Sequence, residues 1–530
     1  MAALAGALVT AVAPPTPAAA GPATPAAYVA VTPCRLADTR TGGGFNRVDA
    51  QTIEITARSV CGVPAAATSL ALTLTIDSPV STGFLTAWPS GQTRPTVSNL
   101  NFNARQVRAN GSITRVDSAG RFRVFTSVAT DVVVDVVGAF VPASSATSGR
   151  FVSGPPARLF DSRDIGPKPA PGASISVPRP AGVPADAVAL ALNITLTEST
   201  AAGFVTEFPA GQAKPMSSIL NVDAGGQTRA AAGIFPISAA GIGLYMSGGG
   251  HVVVDLLGYF TGASSSSSSD GLFTAYDPTR LLDTRASSPL GNGVPLYAGG
   301  GLELAVAQGG ALAYNITSVE GDPGFVTAYP AGTARPSTST VNSTGGGDTV
   351  ANFSITQVSN RGLGLYTQQR SHVLTDLQGW FSGPSATATL PPPANVGPPP
   401  QTPTFSACTH EGMSSINATR ASAGAAALTA NANAEAYACS WAMQLAQRAD
   451  GLDHSPADAR TAAVGCPAGE NVAWASGNSS PQLIANWYAS PAHMANIRNT
   501  SYRSVGIAFV IRTEVSGAQS IWGVMDFALC

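Results

Sequence analysis

The chain repeats itself, and that limits what it can fold into more than any other feature. RLADTR at Arg35 to Arg40 returns as RLFDSR at Arg158 to Arg163 and as RLLDTR at Arg280 to Arg285. GFLTAWPSGQTRP from Gly83 recurs from Gly203 and Gly324, and DVVVDVVGAF from Asp131 recurs from His251 and His372. Three blocks in one order at nearly constant spacing define tandem modules at 28–141, 150–261 and 272–383, each of domain size rather than a solenoid unit. Short β-branched runs between Gly/Pro turns, such as Leu70 to Ile76, Ala189 to Leu196 and Val132 to Val137, predict all-β modules, either sandwiches or small barrels. PASSATSG and GASSSSSSD separate the copies, and the Pro-rich stretch 384–403 predicts a semi-extended linker.

Comparison of the copies predicts one disulfide. Cys34 and Cys61 are present together in the first copy and missing together in the others, so they are expected to bond to each other. Closing that loop would contribute about 3.5 kcal/mol in the chain-entropy model. The triads Arg35/Asp38/Arg40, Arg158/Asp161/Arg163 and Arg280/Asp283/Arg285 have two readings. Two guanidinium groups around a carboxylate could grip a sugar acid or phosphate; alternatively, they form an ion-paired strand end that fixes a turn, the reading favoured in a chain with so few charges. The aromatics at repeated positions, Trp88, Phe208 and Tyr329, and Tyr259 and Trp380 where the first copy has Ala139, could stack on sugar rings, but a place in the core is the favoured reading. The modules resemble tandem repeats with an RLLDTR signature and a VxxDxxGYF ending in exported actinobacterial proteins, which implies a role at the cell envelope.

Charged residues make up 11% of the chain, 28 basic against 30 acidic, with no basic run, which excludes nucleic acid and polybasic membrane attachment as partners. The six cysteines fall in even groups without Cys-x-x-Cys spacing, so disulfides and an oxidising, secreted or cell-surface location are expected. Residues 1–27, with an apolar stretch from Ala2 to Ala13 and Ala18-Ala19-Ala20 before Gly21, read as a signal peptide or an Ala/Pro leader. No later apolar run approaches ~18 residues, so no transmembrane anchor is expected.

After the Pro-rich stretch the pattern becomes helical. Asn431 to Arg448 predicts an amphipathic helix with Tyr437, Trp441 and Leu445 on one face and Ala434, Ala438 and Ala442 beside them. Ser480-Pro481 and Ser490-Pro491 predict two more helix starts, with Ser at the N-cap and Pro at the first helical position. Val505 to Ile511 and Ser520 to Phe527 read as apolar strands, giving an α/β/α layering.

The helix LTANANAEAYACSWAMQLA, then DHS at Asp453 to Ser455, GENVAW at Gly469 to Trp474 and W-x-x-SPAHMANI from Trp487 resemble, in that order, the CAP superfamily of cysteine-rich secretory, antigen 5 and pathogenesis-related proteins, in its short bacterial form. The resemblance covers 404–530 and implies a central cleft lined by His454, Glu470 and His493. The family's second glutamate is replaced by Ser490, which removes the acid pair a general acid–base mechanism would use. His493, in a first helical turn, is expected to stay neutral, so His454 and His493 are candidate zinc ligands, with zinc the one cofactor considered. No activated nucleophile is evident at Ser455 or Ser490, so no catalytic residue is assigned and the balance leans away from an enzyme. The four C-terminal cysteines allow three connectivities, of which Cys439–Cys466 and Cys408–Cys530 are predicted. The expected function is a secreted or cell-surface protein binding a lipid, peptide or glycan in the His/Glu cleft, with β modules attaching it to envelope glycan or spacing it. The alternatives are a metal-assisted hydrolase of peptide or wall material, and glycan-binding β modules with the CAP domain accessory.

Overall fold

The computed structural model describes residues 24–285, 293–345, 348–393, 403–449, 451–514 and 518–530. The leader reading for 1–27 falls outside these except at its end, where Ala26 and Ala27 already belong to a strand, and residues 394–402 of the Pro-rich stretch also lie outside them. The chain forms two compact units, Met1–Gly397 and Pro398–Cys530.

In the first unit each repeated stretch contributes strands to two facing sheets, and one sheet of the first copy joins that of the third through the pairing of Ala26 with Phe273. In the first copy one sheet contains strands Ala26–Asp38, Asp131–Pro142, Ser69–Asp77 and Val107–Arg115, and the other contains Thr52–Thr56, Arg121–Thr126 and Gly83–Pro89. Leu72, Leu74 and Val134 from one sheet meet Ile55, Leu85 and Val124 from the other in a single core, so the sequence's open choice resolves as a sandwich. The second and third copies repeat the strand order. Cys34 is bonded to Cys61, as the copies predicted.

The copies are not independent beads. Tyr28 of the first packs on Phe260 of the second (4.6 Å between centroids), Phe151 of the second on Phe381 of the third (4.7 Å), and Phe273 of the third on Phe140 of the first (4.5 Å). This closed circuit sits in one buried cluster with Ala71, Ala191 and Ala313 and explains the third sequence block. Its Asp pairs with an arginine, its Phe enters the shared core, and its Gly leaves room for a ring. A Cβ on Gly138, Gly258 or Gly379 would stand 2.2, 2.5 or 2.4 Å from Tyr28, Phe151 or Phe273.

The second unit has helices on both faces of an antiparallel sheet whose main strands are Ala468–Ser476, Ser504–Thr513 and Gln519–Ala528. Helix α1 spans Met413–Ser422, α2 Ala432–Arg448, α3 Ala457–Val464, α4 Ser480–Ala489 and α5 Pro491–Arg498. The α1, α4 and α5 side chains Ile416, Trp487 and Ile497 pack with Ile507, Phe509 and Met525 on one face. Ala438, Ala442 and Leu445 of α2 pack with Ala508, Val510 and Val524 on the other, producing the expected α/β/α layering. The buried stripe of α2 is Ala434, Ala438, Ala442 and Leu445, while Tyr437 and Trp441 stay half-buried at its edge. Small residues are needed because the helix backbone at Ala434 lies against Gly506, where a Cβ would approach to 2.1 Å. Helix α4 is capped by Ser479, one residue before the expected Ser480, whereas Ser490 caps α5 as predicted.

Two disulfide expectations are corrected. The bonds are Cys408–Cys439 and Cys466–Cys530, not Cys439–Cys466 and Cys408–Cys530. Ala468 lies opposite Ala528 in the ladder and Leu529 N–H donates to the Pro467 carbonyl, so sheet register brings Cys466 beside Cys530. Cys408 and Cys439 pack together against the α2 face of the sheet.

Candidate functional site

Strand Ala468–Ser476 carries Glu470 with its side chain almost wholly buried, whereas the side chain of His454, on the loop before α3, is 59% exposed. Glu470 Oε2 lies 2.7 Å from His454 Nδ1 and accepts from Ser455 N–H at 2.9 Å. Its Oε1 accepts from the Ser455 hydroxyl and forms an ion pair with Arg460 Nη1 at 3.1 Å. The carboxylate thus acts only as an acceptor, and a proton on His454 Nδ1 completes the pattern.

His493 is placed by α5. Ser490 Oγ accepts from its backbone N–H at 3.5 Å, the N-cap geometry, and Asn471 Nδ2 donates to its carbonyl at 3.1 Å. Asn496 Nδ2 donates to Asn471 Oδ1 at 2.9 Å, tying α5 to the strand of Glu470. His493 Nδ1 is buried and has no hydrogen-bond partner among the described residues. Burial and, secondarily, the charge of nearby His454 lower the His493 ring below the usual histidine range, which favours its neutral form.

Three participants escaped the sequence reading. Arg460 on α3 reaches Glu470 and donates to Ser455 Oγ at 2.8 Å, and Asn471 is the positioning residue just described. The third is Asp526, the cross-strand partner of Glu470. It is fully buried, its oxygens have no hydrogen-bond partner among the described residues, and Arg460 Nε approaches only to 4.0 Å. Burial, then the charge of Glu470, pushes its carboxyl up to about 8. A lone acid in the apolar run IWGVMDFA was the available signal.

Among the described residues no three His, Cys, Asp or Glu side chains are grouped as a metal ion requires. Both oxygens of Glu470 are engaged, leaving two imidazole nitrogens where catalytic zinc sites use three protein ligands. The donors among the described residues therefore do not complete a zinc site.

In the repeats the triads are occupied internally. Arg35 binds Asp135 through Nε at 2.9 Å and Asp38 through Nη1 at 3.0 Å, and Arg40 grips Asp38 through Nε at 2.9 Å and Nη2 at 2.8 Å. Arg158 pairs with Asp255 and Asp161, Arg163 with Asp161, Arg280 with Asp376 and Asp283, and Arg285 with Asp283. The Arg40 and Arg163 side chains, ahead of other causes, hold Asp38 and Asp161 down at about 2. Of the repeated aromatics, Trp88 and Tyr329 are buried, Phe208 lies against Gly243, and Tyr259 and Trp380 pack on sandwich cores.

A three-layer, disulfide-braced domain with His454 and His493 on either side of a Glu-Asn strand defines the class of the second unit. Residues 413–527 match the family model of CAP, the cysteine-rich secretory protein family, so the C-terminal part of the chain carries a CAP domain. No curated protein matches the chain. Among solved structures, an outer surface protein from Borrelia burgdorferi is similar over 22% of this chain and 88% of its own, at 18% identity and a TM-score of 0.19. A structure described as the triple jelly roll fold and turret assembly in an archaeal virus covers 67% of this chain and 92% of its own, at 11% identity and a TM-score of 0.14. No helix among the described residues is long and apolar enough to cross a membrane.

Proposed function

We propose that the chain is an extracellular binding protein whose CAP domain takes its ligand at His454 and His493, while the β-rich unit attaches it to, or spaces it from, the cell envelope. The supporting observation is where the hydroxyls go. Ser455 Oγ is buried, donating to the Glu470 carboxylate and accepting from Arg460, and Ser490 Oγ caps α5, so both hydroxyls are committed to bonds inside the domain rather than presented to a substrate as a nucleophile must be. The two imidazoles are the groups left for a ligand: the exposed His454 ring, oriented by Glu470, and His493, whose buried Nδ1 has no partner among the described residues. They suit a polar ligand able to hydrogen-bond to an imidazole. Three disulfides fit an oxidising location.

The test incubates the full chain and its His454→Ala, His493→Ala double variant with wall fragments and peptides, with and without Zn²⁺. The expected result is uptake of material by the wild type only, without product release. Turnover that disappears in the double variant would replace the binding reading with a hydrolase.

A further inference from the structure

The second sequence block ends in a device repeated three times. Each strand leaves through a Pro-x-Gly turn in which Gly91, Gly211 and Gly332 have φ of +77°, +83° and +67°, the left-handed region that favours glycine. The loop that follows is pinned to the outer face of its sheet. Thr86, Thr206 and Thr327 hydroxyls donate to the carbonyls of Val97, Ser217 and Thr338 at 2.7, 2.9 and 2.7 Å. Each pinned loop presents one exposed cation. The Arg94 guanidinium lies 3.6 Å from the centroid of the Phe125 ring, Lys214 Nζ lies 3.9 Å from that of Tyr245, and the Arg335 guanidinium lies 3.9 Å from that of Tyr366. A second ring stands beside the first each time: Phe84 at 5.9 Å, Phe204 at 6.1 Å and Phe325 at 6.2 Å.

These cations differ from the arginines of the triads. All six triad arginines are engaged by acids of their own repeat. Among the described residues, Arg94, Lys214 and Arg335 have neither an acid nor a carbonyl partner, only the ring beneath them. A cation held by a ring face keeps its N–H groups for an anion and has already lost much of its freedom, which lowers the entropic cost of binding. The neighbouring rings, of which Phe204 is 36% exposed, offer an apolar edge to the C–H face of a sugar.

We propose that each patch is a subsite for an acidic sugar, and that the three together hold one anionic polysaccharide. Cation and ring side by side match a ligand that is itself a ring bearing an acid. Threefold recurrence in one compact unit matches a ligand with a repeating unit, because three weak subsites on one polymer gain affinity through effective concentration. Nucleic acid is a poorer match for a chain with a net charge of -2 and no basic run. The proposal rests on the attachment reading of the β-rich unit, supplies its chemistry, and involves no residue of the CAP site.

The test is affinity electrophoresis of the full chain through gels containing polygalacturonate, dextran or inorganic polyphosphate. Polygalacturonate is expected to retard the protein, dextran to leave it unretarded, and polyphosphate to act at least tenfold more weakly. The combined Arg94→Ala, Lys214→Ala, Arg335→Ala variant should lose tenfold or more of the polygalacturonate affinity, and each single variant about two- to fivefold, with thermal unfolding confirming the fold. Should the combined variant misfold, Arg94→Glu and Arg335→Glu tested singly are expected to weaken binding more than the corresponding alanines. No retardation, retardation unchanged by these substitutions, or equal affinity for polyphosphate would overturn the proposal. Sedimentation with purified envelope material separates the two readings. Protein that pellets with envelope but ignores polygalacturonate overturns only the polysaccharide assignment, and protein that does neither overturns attachment as well.

Discussion

Both units bury a carboxyl group behind an acid held by arginine, but they supply it with different numbers of cations. In the second repeat Arg158 and Arg163 serve two acids; Arg158 Nε donates to the inner one, Asp255, at 2.6 Å, and burial raises that carboxyl only to about 6. In the CAP domain Arg460 alone serves Glu470 and Asp526, and the inner carboxyl, without a hydrogen bond, is raised to about 8. Glu207, in the core of the second sandwich where the other copies have Ala87 and Ala328, has no cation partner among the described residues, and burial raises its carboxyl well above the usual range. Burial penalises all three; the difference is how many positive charges share the compartment. The repeats therefore hold charge as a structural clamp, whereas the CAP domain keeps beside Glu470 a carboxyl whose burial favours its protonated form.

The largest effect should come from removing the single cation. Arg460→Ala leaves Glu470 beside Asp526 without its arginine, and a loss of about 3–5 kcal/mol is expected in denaturant unfolding, the usual penalty for breaking a buried charge pair. A loss near that of an exposed pair would show that Arg460 does not hold the site.

Next is the pH response. Asp526 keeps its proton in the folded state to about 8 and gives it up near 4 when unfolded, so between those limits the folded state binds more protons. Stability of the CAP domain should fall as pH rises through this window, by up to about 1.4 kcal/mol per pH unit, and level off above it. Asp526→Asn should flatten that fall in a series of unfolding curves from pH 4 to 8.

Glu207→Ala, which restores the residue of the other two copies, should stabilise the β-rich unit by about 1–3 kcal/mol at neutral pH by removing a buried acid whose Oε1 has no partner. Destabilisation would mean that the acid has a use in the core.

The smallest change is expected at the rim. The Arg40 side chain is 42% exposed, so Arg40→Ala should cost about 1 kcal/mol or less. The stability it supports is present above pH 4 and lost as pH falls through about 2, because Asp38 is ionised when folded at a pH where the unfolded chain protonates it. Salt should weaken the effect further.

Much of this was legible in the sequence. Three copies of three blocks gave the β fold and the Cys34–Cys61 bond, because each copy served as a control on the others. The motifs named His454, Glu470 and His493 as candidates, and the Ser-Pro pair gave the Ser490 N-cap. What escaped depended on register. Asp135, Asp255 and Asp376 stood in the third block, but only strand pairing sets them opposite Arg35, Arg158 and Arg280. The ladder that joins Ala468 to Ala528 likewise decides the partner of Cys466 and sets Asp526 beside Glu470. Nor does a linear pattern show that three modules share one ring of aromatics.

The binding reading of the CAP site is tested most directly by histidine ring NMR. The chain has only five histidines, so His454 and His493 can be assigned by substitution and followed while solubilised envelope material is added to the full chain. Movement of these two signals, with His251, His372 and His410 unmoved and no product released, is the predicted result. Unmoved His454 and His493 signals, or product release that ends when both are replaced by alanine, would contradict it.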